Sequence, residues 1–144
     1  LQAPVTDTPF IADHTTDMGQ RVFYPPSVFS YFSPGFRIAG GTLLAPEFQI
    51  YTTATATARV NFVADLIGGR FGSDVKIPWT NLQALAADPN LLLDYISDVF
   101  LGSTMSPQMR TLIQQAMLAT TSSKEKAQTA LYLTLVSPQY QVQR

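Results

Sequence analysis

His14, the only histidine, stands among Asp7, Asp13 and Asp17, and here alone the residue types could hold a hard metal ion or run acid–base chemistry. The spacing argues against both. A calcium loop sets oxygen ligands at fixed alternating positions around a turn glycine, and a zinc site draws on more than one nitrogen or sulfur donor. The cluster instead reads as polar surface. Arg59 has the next longest chemical reach, since its five donors could grip a carboxylate. No acid, base or nucleophile stands at a useful spacing from it, so bridging loop carbonyls or a buried partner is the better role. Gly-x-Ser-x-Gly, His-Glu-x-x-His, Gly-x-x-x-x-Gly-Lys-Ser and Gly-x-Gly-x-x-Gly patterns are all missing from the sequence. No catalytic, metal-binding or cofactor-binding residue is therefore assigned, and no cofactor is expected.

Any site would have to be positioned by helices. Pro46 suits a first helical position and Glu47 the positive end of the helix dipole, while Gly68-Gly69 is a stop signal. The spacing predicts one long helix over 46–67, with Phe48, Tyr51, Thr55, Ala58, Phe62 and Leu66 along one stripe. Thr80 is a candidate cap for a short helix over 81–87. Asp88-Pro89 opens a helix to Leu101 that Gly102 ends, with Leu92, Tyr95, Ile96, Val99 and Phe100 inward. Ser106-Pro107 opens another to about Ala119, with Met109, Leu112, Ile113, Ala116 and Met117 inward. Ser122 or Ser123 opens a further one to about Val136, burying Ala127, Ala130, Leu131 and Leu135, and Ser137-Pro138 starts a last turn. Thr15 or Thr16 could cap a short helix to Gln20, after a loop or trimmed end over 1–15. Residues 16–144 then form one helical domain.

Between Gly19 and Phe36 lie six of the chain's aromatic residues, three prolines and two glycines, a composition that denies this stretch a helix or central strand. Rings this dense argue for an ordered loop rather than a linker. The expected fold is all-α: a small helical bundle with this long aromatic- and proline-rich loop packed over it. Phe23, Tyr24, Pro25, Pro26, Phe29 and Phe32 of the loop, with Arg59 and Phe62 of the helix, are its candidate structural residues.

Charged residues are only 13% of the sequence, against 46% hydrophobic, where a soluble domain usually carries about 25% charged. The shortfall predicts apolar surface covered by another protein chain or by a missing N-terminal region. A net charge of −1 with no basic run leaves nothing to neutralise phosphates, so nucleic acid is excluded as a partner. Runs such as Leu91 to Leu93 fall far short of the roughly 20 apolar residues that span a bilayer, and membrane contact is expected only indirectly, through a partner. The start at Leu1, without Met, reads as a fragment of a longer polypeptide.

Gly19-Gln20-Arg21-Val22-Phe23-Tyr24-Pro25-Pro26-Ser27-Val28, the Pro46-Glu47-Phe48-Gln49 start, Arg59-Val60-Asn61-Phe62, and Ala130-Leu131-Tyr132-Leu133 leading to Ser137-Pro138-Gln139-Tyr140 together resemble the carboxy-terminal part of a bacterial family known as domain of unknown function 1800, acidobacterial members most of all. The resemblance implies a mostly helical, exported protein, periplasmic or otherwise extracytoplasmic, several hundred residues long. It implies no catalytic residue. Two functions follow as expectations: a non-catalytic structural or interaction domain held in a complex, or the end of an envelope-polymer hydrolase whose active site lies in an N-terminal region.

Overall fold

A computed structural model describes residues 9–71 and 75–142. Seven α-helices and one 3-10 turn make up its regular structure, and no strand forms among the described residues. The described residues divide into two compact units, one ending at Phe62 and the other beginning at Val63.

In the first unit, α1 spans Pro9–Asp17, so residues 9–15 are helical where a loop was expected. Proline at a first helical position loses no hydrogen bond and brings its φ already set. Gly19, at φ +84, ends the helix as the Gln20 amide turns back to the Thr15 carbonyl at 2.8 Å, a left-handed stop that glycine makes without strain. A Cβ at Gly19 would also meet Thr55 Cγ2 at 3.3 Å.

The single helix expected over 46–67 is two elements, a 3-10 turn over Pro46–Ile50 and α2 over Thr53–Ile67. Threonine hydroxyls make the break. The Thr52 amide donates to Thr55 Oγ1 at 2.9 Å, the Thr55 amide to Thr52 Oγ1 at 3.2 Å, and the Thr55 hydroxyl to the Ile50 carbonyl at 2.6 Å. Side chains thus supply the bonds that a continuous helix would take from its backbone.

The second unit is a bundle centred on α6. Helices α3 (Trp79–Leu85), α4 (Pro89–Leu101), α5 (Pro107–Leu118) and α7 (Pro138–Gln141) all pack on α6 (Ser123–Leu135). Ala127 and Ala130 of α6 are fully buried, and their small side chains let its neighbours come close. Thr134 is also fully buried, and its hydroxyl donates to the Ala130 carbonyl at 2.8 Å, which removes the penalty of an unpaired buried group. One apolar cluster joins Leu92, Leu93, Ile96, Ile113 and Met117 to these alanines. A second joins Val63, Ile67, Leu131 and Leu135, and Trp79, Leu82 and Phe100 touch both.

The ends of α4 and α5 lie where the sequence placed them. Asp88 Oδ1 accepts from the Asn90 amide at 2.8 Å, Gly102 stops α4 at φ +56, and Ser106 Oγ accepts from the Met109 amide at 3.3 Å. Substituting Asp88→Ala should cost about 1 kcal/mol, read as a lower urea midpoint at unchanged slope. Three inward assignments need correction. Tyr95 and Val99 of α4 and Leu112 of α5 are exposed, because α4 turns Leu92, Leu93, Ile96, Ser97 and Leu101 to the core instead. Helix α3 also starts at Trp79, earlier than expected, with no side-chain cap.

Candidate functional site

The tripeptide Ser-Pro-Gln occurs at 106–108 and again at 137–139, and the fold brings both copies to one cleft of about 510 Å³ beside α5, α6 and α7. Each serine is an N-cap with proline next to it, which fixes both chain entries. Ser137 Oγ accepts from the Tyr140 amide at 3.2 Å and donates to the Thr134 carbonyl at 2.7 Å. Gln139 ties the two helix starts together: its Oε1 accepts from the Ser106 amide at 3.2 Å, and its Nε2 donates to the Thr104 carbonyl. Met109, Leu112, Ile113 and Leu133 line the rest.

The chemistry open to this cleft is limited by what lines it. Both hydroxyls are engaged in capping, and no titratable side chain is among the lining residues, so nothing there can activate a nucleophile or move a proton. A smaller recess of about 290 Å³, beside Leu66, Val75, Ile77 and Trp79, has Lys76 as its charged residue. Among the described residues no group of three His, Cys, Asp or Glu side chains could hold a metal ion. Asp7, grouped with His14 in the sequence, lies outside them, and His14 packs near Phe62, ring centroids 5.8 Å apart.

Arg59 is half-buried; its Nη2 donates to the Met18 carbonyl at 3.3 Å, and its guanidinium lies 5.2 Å from the centre of the Tyr51 ring. The aromatic loop departs most from expectation. Phe23 is 92% exposed, Tyr24 66% and Phe29 63%; Pro25 and Pro26 are exposed too, and Phe32 is half-buried. These rings are not a packed interior. Short turns hold the loop instead, and such turns need no buried ring: Tyr24 amide to Arg21 carbonyl and Ser30 amide to Ser27 carbonyl, each at 3.1 Å. No residue from 13 to 62 is fully buried.

In the sequence Ser106-Pro107 and Ser137-Pro138 stand as two separate helix starts. The repeated tripeptide was the available signal that they share a cleft, but nothing local says that two starts 31 residues apart in the sequence meet.

No curated protein and no solved structure matches this chain. A family model does, over residues 3–142, nearly the whole sequence. On that match the chain belongs to the family described as protein of unknown function, DUF1800.

Proposed function

We propose that this chain is a non-catalytic structural and interaction domain of an exported bacterial protein, held in a complex with another protein chain. The observation that carries this reading is the outer face of α4, where Leu91, Tyr95 and Val99 are 55%, 45% and 55% exposed. They stand at i, i+4 and i+8 on a helix whose opposite side is the core. Such a stripe runs about 12 Å along the axis and is the pattern by which one amphipathic helix receives another. Beside it Asp94 is paired with Arg110, while Asp98 is exposed and accepts from the Ser103 hydroxyl at 2.7 Å, so the complementary partner is a helix with a lysine or arginine placed to meet Asp98 next to its own apolar stripe. A charged fraction of 13% agrees with surface that is covered in use.

Cross-linking in the extracytoplasmic fraction of the native cell, followed by peptide identification, tests it. The wild-type chain should link through α4 to one identified protein, at a helix of that character. Leu91→Asp with Val99→Asp should abolish the link and leave the circular dichroism unchanged, since neither side chain is in the core. A wild-type chain that links to nothing through α4, or links equally well with both aspartates in place, would remove the reading.

A further inference from the structure

We propose that the segment from Arg21 to Ser30 is a lipid-docking surface whose two apolar-tipped turns enter the interface of an anionic bilayer. It lies in the first unit and rests on different residues from the α4 face. The first turn presents Phe23, 92% exposed at φ +60; the second presents Val28 and Phe29, 95% and 63% exposed, ahead of Ser30 at φ +75. Positive φ is costly for residues other than glycine, and a phenylalanine held that way in water gains no burial within the chain. The backbone around the tips is internally bonded. Beyond the two turn bonds, the Phe29 amide donates to Ser27 Oγ at 3.1 Å and the Val22 amide to Thr15 Oγ1 at 3.2 Å. The amides of Val22, Tyr24, Phe29 and Ser30 are thus bonded within the chain, which reduces the polar groups that must lose water when the turns enter an interface.

Charge points to an anionic surface. No Asp or Glu lies between Met18 and Pro46, where Arg21 and Arg37 are the charged residues, although the whole chain carries −1. The Arg21 guanidinium sits 4.3 Å over the Tyr24 ring at the base of the first turn, and the Tyr31 hydroxyl donates to the Arg21 carbonyl. Arginine and tyrosine next to an apolar tip are the residue types of a bilayer interface, where apolar groups go deepest and amphipathic rings and cations stay at the headgroups. Each arginine near such a surface strengthens binding about fivefold. Phe23, Val28 and Phe29 offer a partner protein no polar side-chain group to read, whereas a bilayer needs none.

The test is co-sedimentation of the full chain with phosphatidylcholine vesicles made with and without phosphatidylglycerol. The chain should partition at least about tenfold better into the anionic vesicles, and salt should weaken it. Phe23→Ser with Val28→Ser and Phe29→Ser should reduce partition by about tenfold or more at unchanged melting temperature, because these side chains are not in a core. Arg21→Gln with Arg37→Gln should reduce it by a factor between about five and twenty-five. If the triple variant misfolds, Phe23→Ser alone reads the same loss. No partition of folded chain, equal partition into both vesicles, or serine variants that bind like wild type overturns the proposal. So does a protein captured through Phe23 by a chain that ignores vesicles.

Discussion

Replacing Leu93 with alanine is expected to destabilise the second unit by about 2–5 kcal/mol, toward the upper end of that range. Leu93 is fully buried in α4, and its cluster includes Ala127 and Ala130 of α6. Alanines have no rotamers with which to refill a space, so the cavity left by the substitution stays open, and an open cavity adds to the lost transfer energy. For a unit of this size the change should lower the melting temperature by on the order of 10 °C or more. Val99→Ala, on the exposed side of the same helix, should move stability by no more than about 0.5 kcal/mol. Thermal unfolding followed by circular dichroism compares the two directly. Equal effects would mean that the inward face of α4 has been misassigned.

Trp79→Ala should cost about 3 kcal/mol or more, for a different reason. Trp79 is only partly buried, but it packs against both apolar clusters of the second unit, so its loss removes contacts on two sides at once. It is also the chain's single tryptophan, which makes its fluorescence a reporter of this unit alone. In the wild-type chain the emission should shift to the red in one cooperative step that coincides with loss of helix. An emission already typical of solvated indole before unfolding would contradict its place between the clusters. So would an alanine variant as stable as the parent.

Much of the fold was legible because its signals are local. Asp88 before Pro89, Ser106 before Pro107, Ser137 before Pro138 and Gly102 after Leu101 each act within a few residues, satisfying or replacing backbone groups that a helix end leaves open. The boundaries of α4 and α5 follow from such pairs. The break before α2 was less legible. Threonine is a poor helix former, but the reciprocal bonds between Thr52 and Thr55 depend on rotamers that composition does not specify.

The site was legible only in part, since serine caps can be read from the sequence while the cleft they share cannot. Gln139 reaches the Ser106 amide only because α6 returns the chain to the start of α5. Which side of α4 faces inward was likewise decided by the bundle: Tyr95 and Val99 are as apolar as their neighbours, and the alanine surface of α6 selected the other side. The same holds for the rings of the aromatic loop, whose abundance predicted burial. The sequence by itself determined the ends of α4 and α5 and that the fold would be all-α, because caps, prolines and glycines act on their own backbone. Tertiary structure decided what is covered, because burial depends on which distant residues arrive alongside, and none arrives to enclose Phe23, Tyr24 or Phe29.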